Sequence, residues 1–417
     1  MLPKIAERLN LKASDKEGWL VGASEAAAKG GAFELGICFP VPSELDCFRY
    51  EEENIKYFGF YENTLRPEVY DDNLENRLRG IVSEFAPDIV HIFGTEYPHT
   101  LAMARVMKDA PGRVLVGIQG VMEIYKDHFF DGVPGRVINR VTFRDFLKKD
   151  SLKEQREKFA KRAENEVMAL KLVGNVTGRT PFDKDFTQEV KPDAKYFFMN
   201  ETLRKNFYGK SAGKDVEPFS IFLSQGNYPI KGAHFMIKAL AELKKDFPDA
   251  KVYIAGDNVT RHKTLKDRIR LSSYGKYLLE LIKKYDLWNS VVFTGSLSAE
   301  KYAERLMRSS VFVCPSTIEN SPNSLGEAML LSVPCVAARV GGIPGIFDDG
   351  KDGILYTPGD VAALCDGIAK IWTDAEARES FVKSAKEHAE RTHDPKANFL
   401  RLTEIYKEIF DANSICI

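Results

Sequence analysis

Short apolar runs of strand character alternate with longer segments of helical periodicity along the chain, and no other feature restricts its fold as tightly. The runs are Phe33–Phe39, Ile89–Phe93 and Arg113–Ile118 in the first half, then Phe219–Ser224, Lys251–Ala255, Ser290–Phe293 and Val311–Cys314 in the second. Strands separated by helices pair in parallel, and a parallel sheet needs helices over both faces. At 417 residues the chain exceeds what one core usually serves, so two doubly wound α/β domains are expected. The polar, glycine-bearing segment Tyr208–Pro218 ends in proline and is expected to link them, dividing residues 1–207 from 219–394. In the tail 395–417, Phe399, Leu402, Ile405, Tyr406 and Ile409 recur at helical spacing. This predicts a terminal helix that packs back on a domain, the N-terminal one being a ready partner.

The opening is unusual. Doubly wound domains begin with a buried strand that becomes the middle of the sheet, whereas Met1–Leu11 carries a proline at position 3 and an irregular or helical pattern. Either the domain is built without that strand, or the sequence begins downstream of the natural start; the second reading is preferred. A sheet lacking its middle strand would favour it.

Composition narrows the function. With 44% hydrophobic and 29% charged residues the chain reads as an ordinary globular protein, neither disordered nor fibrous. A net charge of -1 and a pI near 6.7 give no global attraction to nucleic acid, so no nucleic-acid partner is expected. The six cysteines show no CxxC spacing, which argues against a zinc site or a disulfide framework and for a reducing cytoplasm. No run of ~18 apolar residues and no secretion-signal pattern is present, so no membrane span is expected.

The richest segment runs from Val311 to Asp360. A buried strand ends at Cys314, a polar loop follows, and Ser321-Pro322 reads as an N-cap with proline at the first helical position. The helix then starts near Asn323, and the backbone N–H groups of Asn323, Ser324 and Leu325 form a phosphate site beyond the carboxyl end of the strand. A diphosphate can be held there without a metal. Glu327 lies inside that helix, roughly 8 Å along the axis at 1.5 Å per residue, a span comparable with that from a diphosphate to its ribose hydroxyls. Glu319 lies on the other side of the phosphate site, where a carboxylate can bind sugar hydroxyls or face charge developing at an anomeric carbon. In isolation the two would read as a loop charge and a first-turn helix acid.

They are not isolated. Glu319 and Glu327 form a Glu-x7-Glu motif followed by Glu327-Ala328-Met329, Val333-Pro334, Gly341-Gly342, Asp349-Gly350, Gly353 and Pro358-Gly359-Asp360. The whole resembles the C-terminal domain of glycosyltransferase family 4, the group 1 glycosyltransferases. Upstream, Ala255-Gly256-Asp257 resembles that family's strand-end turn, Phe293-Thr294-Gly295 its nucleotide-side strand, and Lys231-Gly232 its phosphate-binding lysine. The resemblance implies the GT-B fold, two Rossmann-like domains facing across a cleft, and transfer of a sugar from a nucleoside diphosphate with retained configuration. It further implies ribose binding by Glu327, donor-sugar contact by Glu319 and neutralisation of the leaving diphosphate by Lys231, with Gly256 on the donor side. No cofactor or metal is implied; the nucleotide-sugar is a substrate.

The chain departs from the family pattern in two places. Position 226 is Gly226 where the family usually has arginine, and Gln119 stands in Gly117-Ile118-Gln119-Gly120 where it often has histidine. Gln119 can hydrogen-bond a substrate but cannot act as acid or base. Gly18 and Trp19 resemble the family's glycine-bearing loop, although Trp19 reads at least as well as core. Thr95, Glu96 and His99 follow the strand Ile89–Phe93, where side chains of such domains reach substrate; His91, within the strand, is expected to be packed. Asp183-Lys184-Asp185 has the Asp-x-Asp spacing of a metal clamp but lies in a polar connection and is read as structural.

Residues 136–162 hold ten basic and four acidic side chains, with Arg136, Arg140 and Arg144 four apart beside Val137 and Val141. A helix lying peripherally on an anionic membrane looks like this, and so does a solvated face. The expected enzyme therefore works in the cytoplasm or at the inner membrane face, adding one sugar to a glycan or lipid-linked acceptor in bacterial surface polysaccharide synthesis. The rival readings are an epimerase of the same fold and a nucleotide-sugar-binding module without catalysis.

Overall fold

The computed structural model of the chain describes residues 3–9, 24, 33–52, 54–213 and 215–414. It divides into two compact units, the first Met1–Glu123 with Lys158–Lys205 and His393–Ile417, the second Ile124–Glu157 with Asn206–Thr392. The single boundary expected at 208–218 is thus corrected once, while the terminal helix falls where its spacing suggested. Residues 124–157 join the second unit through long-range polar contacts that no local pattern announces, and the terminal helix Pro395–Ser414 belongs to the first. That helix buries Leu402, Ile405 and Ile409, and the two isoleucines enter a core cluster with Leu115 and Phe197.

In the first unit, β1 (Leu35–Val41), β2 (Arg49–Glu52) and β3 (Ile55–Tyr61) form one sheet in the order β1-β3-β2, with β1 parallel and β2 antiparallel to β3. The strands β4 (Val90–Phe93), β5 (Val114–Gly117), β6 (Asn175–Gly178) and β7 (Lys195–Phe198) form a second, wholly parallel sheet in sequence order. Among the described residues no strand joins the two sheets. The opening segment contains the short helix Pro3–Arg8, whose Ile5 packs into the core of β1 and β3 with Phe39, Val41, Ile55 and Tyr57. Val114, Leu115 and Val116 are all fully buried, as parallel strands covered on both faces require.

The second unit holds six parallel strands, β8 (Glu217–Leu223), β9 (Lys251–Ile254), β10 (Val291–Phe293), β11 (Ser309–Cys314), β12 (Cys335–Ala338) and β13 (Ile354–Tyr356). Their order is β10-β9-β8-β11-β12-β13, the 3-2-1-4-5-6 arrangement of a dinucleotide-binding fold. From β8 the chain winds first to one side through β9 and β10, then crosses back to β11. The crossover leaves a crevice beyond the carboxyl ends of β8 and β11, where the loops leave the sheet in opposite directions. No described helix is long and apolar enough to cross a membrane.

Candidate functional site

The loops after β8 and β11 meet at that switch point. The first carries Lys231 at the end of a 3-10 turn, Pro229–Lys231, which stops at Gly232 with φ +67. A Cβ on Gly232 would lie 1.8 Å from the Pro315 carbonyl oxygen, so only glycine permits both the left-handed turn and the approach of the two loops. The Thr317 N–H donates to the Ile230 carbonyl at 2.8 Å and ties them together. On the other side Gly341, with φ +48, passes so close to the Glu319 carbonyl oxygen that a Cβ would stand 2.0 Å from it, while the Gly342 N–H donates to that oxygen at 3.0 Å. Glycines therefore fix the backbone on both sides of Glu319.

The result is a largely buried ion pair, with the Lys231 side chain 17% and the Glu319 side chain 8% exposed. Lys231 Nζ donates to Glu319 Oε1 at 2.5 Å, and Ser316 Oγ donates to the same oxygen at 2.8 Å. Desolvation opposes the charge on Lys231, but the Glu319 carboxylate, helped by Tyr228 and Tyr125, outweighs it and holds the ammonium well above the ordinary lysine pKa. The same burial, with Glu319 nearby, raises the Tyr125 hydroxyl well above the usual phenol value. Tyr125 Oη accepts the Asn320 N–H at 2.8 Å, holding the loop just before the helix. Tyr125, Tyr228, Ser316 and Asn320 were not singled out from sequence. Tyr228 lies within the Gln225–Lys231 stretch that drew attention to the lysine, whereas nothing local marks Tyr125.

The helix begins at Asn323 as expected, and runs to Leu330. Its cap is Pro322, not Ser321, with φ -67 and ψ 111 and no side-chain capping bond. The Leu325 N–H turns inward to the Pro322 carbonyl at 2.9 Å, so that group is committed within the turn. The Ser324 N–H has no acceptor among the described residues, which leaves it as the donor suited to an anion at this helix end. Glu327 projects from the same helix and is buried. Gly256, with φ +100, pairs through its N–H with the Gly295 carbonyl at 3.0 Å, joining the turns after β9 and β10, and its Cα faces open space. At Gly226, five residues before Lys231, a Cβ would lie 2.8 Å from Ile254 Cγ2 and 3.2 Å from Ala233 Cβ, so a longer side chain there would require these neighbours to shift.

In the first unit the picked residues lie near the carboxyl ends of its strands. His99 donates its backbone N–H to Glu62 Oε1 at 3.0 Å, and its Nδ1 meets Glu62 Oε2 at 2.7 Å, so the buried carboxylate orients the ring. Glu96 accepts the Gly120 N–H at 3.1 Å. Gln119 is held by its neighbours: its amide nitrogen donates to Glu201, and Arg179, ion-paired to Glu201 at 2.7 Å, donates to its oxygen at 3.2 Å. Thr95 is buried against Glu166. His91 meets the Tyr406 hydroxyl through Nδ1 at 2.8 Å and stacks on Phe93, while its buried Nε2 has no partner; burial lowers its pKa to about 3. Asp183 is fully buried and accepts from the Arg179 N–H, the Thr180 hydroxyl and the Tyr196 hydroxyl, a structural set. Gly18 and Trp19 lie outside the described residues.

The three spaced arginines do not form one membrane-facing stripe. Arg136 and Arg140 pair with Glu280 at 3.0 and 2.8 Å, and Arg144 pairs with Asp145 and Asp150 at 3.0 and 2.6 Å. The segment is broken into the helices Gly135–Ile138, Phe143–Lys148 and Leu152–Lys171, because Thr142 caps a new helix.

Residues 205–388 match the family described as glycosyl transferases group 1. Over 163 residues the chain is 31% identical to the sulfoquinovosyl transferase SQD2 of Arabidopsis thaliana, covering 38% of this chain and 28% of that protein. It is 28% identical over 193 residues to the N-acetyl-alpha-D-glucosaminyl L-malate synthase of Bacillus anthracis, covering 46% and 45%. The matched stretches thus span less than half of these curated relatives. In three dimensions the chain is similar to a sucrose-phosphate synthase from Thermosynechococcus elongatus, with a TM-score of 0.72 at 16% identity over 94% of this chain and 93% of that one. It is also similar to HepE of Anabaena, solved with UDP, with a TM-score of 0.65 at 16% identity over 95% and 98%. These likenesses place the fold in the GT-B class, two Rossmann-like domains.

Proposed function

We propose, from the match of residues 205–388 to the group 1 glycosyl transferases, that the chain transfers a sugar from a nucleoside-diphosphate sugar, with retained anomeric configuration, to a glycan or lipid-linked acceptor. The observation that carries this reading is the Lys231–Glu319 pair at the switch point of the second unit. A lysine kept charged beside a helix N-terminus suits a diphosphate whose charge grows as it leaves. In the step inferred, the bond from the anomeric carbon to the phosphate oxygen breaks, the acceptor oxygen bonds to that carbon on the same face, and the acceptor proton passes to the departing phosphate. Lys231 and the Ser324 N–H compensate the charge, Glu319 faces the donor sugar, and Glu327 accepts the ribose hydroxyls. Glu96 and the Glu62-oriented His99 are assigned to the acceptor side. No resident metal enters this scheme. The acceptor class placed first is a growing surface glycan of a bacterium, met at the inner face of its membrane.

Gly226 and the neighbour-bound Gln119 favour one rival, a module that binds nucleotide-sugar without turnover. Thermal-shift screening of nucleotide-sugars, then hydrolysis and transfer assays with the best ligand, separates the two. Slow donor hydrolysis that drops at least about a hundredfold in Glu319→Ala and Lys231→Ala supports the transferase. Tight binding with no turnover on any acceptor would leave the module.

A further inference from the structure

Four large apolar side chains stand in the solvent within Val141–Leu147: Val141, Phe143, Phe146 and Leu147 are 58, 60, 73 and 63% exposed. They are held there. Thr142 caps the helix Phe143–Lys148 by accepting the Asp145 N–H, and Asp145 reciprocates to the Thr142 N–H. Asp145 is fully buried and accepts from the Ser273 N–H at 2.9 Å and the Ser273 hydroxyl at 2.6 Å. The polar side of this short helix is therefore locked onto the body of the second unit. Phe143, Phe146 and Leu147, at i, i+3 and i+4, share the opposite side. A mobile loop could fold such residues away from water; a capped and anchored helix cannot.

The exposed charges that come first after them in the chain are basic, and the nearest acid after them, Asp150, is paired with Arg144. Lys148, Lys149 and Lys153 are exposed and make no ion pair among the described residues, in contrast to Arg136, Arg140 and Arg144, which are paired within the unit. Apolar side chains rimmed by unpaired lysines complement an anionic lipid surface, where the acyl boundary takes the rings and the phosphates take the ammonium groups. A second copy fits less well, since a two-fold contact through this face would set the same lysines against each other. We propose that the helix Phe143–Lys148 docks the protein on an anionic bilayer, with Phe143, Phe146 and Leu147 entering the headgroup region and Lys148, Lys149 and Lys153 binding lipid phosphates. Such docking is independent of which sugar moves, and a lipid-linked acceptor would give it a purpose.

Sedimentation of the full chain with phosphatidylcholine vesicles, with and without phosphatidylglycerol, tests it. Binding is expected only with phosphatidylglycerol and weakens with salt. The Phe143→Ser/Phe146→Ser/Leu147→Ser variant and the Lys148→Glu/Lys149→Glu/Lys153→Glu variant should each bind roughly tenfold to a hundredfold more weakly, with unchanged thermal midpoints because these side chains are exposed. Failure of the wild-type chain to bind anionic vesicles overturns the assignment, as does apolar-variant binding equal to wild type. A wild-type dimer that dissociates in the apolar variant, without vesicle binding, would assign the face to a second copy instead. Donor hydrolysis measured on the same samples keeps the two readings apart, because its persistence without vesicle binding would leave transfer standing.

Discussion

Lys231 Nζ and Glu319 Oε1 stand 2.5 Å apart at the crevice where β8 and β11 diverge, so the cation proposed to meet a diphosphate is paired with the carboxylate proposed to face the sugar. A diphosphate entering this crevice competes with Glu319 for the ammonium. Removing the carboxylate leaves a largely buried cation, the Lys231 side chain being 17% exposed, without its carboxylate partner, a change that costs on the order of 2 kcal/mol. Glu319→Ala should therefore melt earlier than wild type, yet gain more on adding a nucleoside diphosphate, whose phosphates restore the missing countercharge. Thermal shifts across a panel of nucleoside diphosphates check this. Equal shifts in the two proteins would mean that Lys231 does not turn to the phosphate.

The glycines flanking the pair offer a graded test. Ala at Gly232 or Gly341 meets a carbonyl oxygen at 1.8 or 2.0 Å and takes an unfavourable positive φ as well, whereas Ala at Gly256 meets nothing within 4 Å and bears only the φ of +100. Gly232→Ala and Gly341→Ala are expected to lose donor binding and more than about 3 kcal/mol of stability, against roughly 1 kcal/mol for Gly256→Ala. Chemical denaturation with donor titration gives both readouts. Similar losses at all three positions would show that φ, and not the approach of the loops around Glu319, controls the site.

Glu319 and Glu327 were legible in the sequence because they stand eight residues apart in the one loop-and-helix segment after β11, and Lys231 because it lies in the loop after β8; spacing along a single segment is local information. Tyr125 was invisible for the opposite reason: it reaches Asn320 from a segment nearly half the chain away, and hydrogen bonds of that range leave no period. The arginines at four-residue intervals misled in the same manner. Their periodicity suggested one helix, but Thr142 begins a new one and Glu280 supplies a distant partner for two of them. The strands Cys335–Ala338 and Ile354–Tyr356 were not read, although Lys251–Ile254 and Val291–Phe293, equally short, were; at three or four residues a buried strand shows no alternation that marks it reliably. The cap moved from Ser321 to Pro322 because a proline φ near -65° suits either the cap or the first turn.

Asp352 anchors the loop that follows the Gly341-Gly342 turn. Its fully buried carboxylate accepts the Asp348 N–H at 2.9 Å, the Ser384 hydroxyl at 2.8 Å and His388 Nδ1 at 2.6 Å. Burial pushes its pKa up, but the bonds from His388, Asp348 and Ser384 outweigh that and leave it below the ordinary 3.8. A depressed carboxyl contributes stability that is present above its unfolded pKa and lost as pH falls through the folded one, so the loss belongs below pH 3.8. Asp352→Ala should cost roughly 3 kcal/mol at neutral pH and flatten that acid limb. Unfolding midpoints of both proteins from pH 6 downwards (about three units of titration) decide it; parallel curves would acquit Asp352.

Glu166 runs the other way. Desolvation raises its pKa from 4.5 to about 7, with Glu96 adding to the shift and the bonds from Thr95 and the Glu123 N–H reducing it. The geometry agrees with a protonated carboxyl. Thr95 Oγ1 lies 2.5 Å from Glu166 Oε1 and 3.3 Å from the Gly120 carbonyl oxygen, and its single proton can serve only one acceptor. Both contacts become hydrogen bonds when Glu166 donates to Thr95 and Thr95 donates to Gly120. A raised pKa gives stability that is full below pH 4.5 and disappears as pH climbs through about 7. For a fully buried group with that shift the loss amounts to roughly 3 kcal/mol. Glu166→Gln keeps a neutral donor at the same place, so its midpoint should rise relative to wild type between pH 5 and pH 8 (about the span of the shift). If the two midpoints instead move together across that window, Glu166 is not the group that titrates.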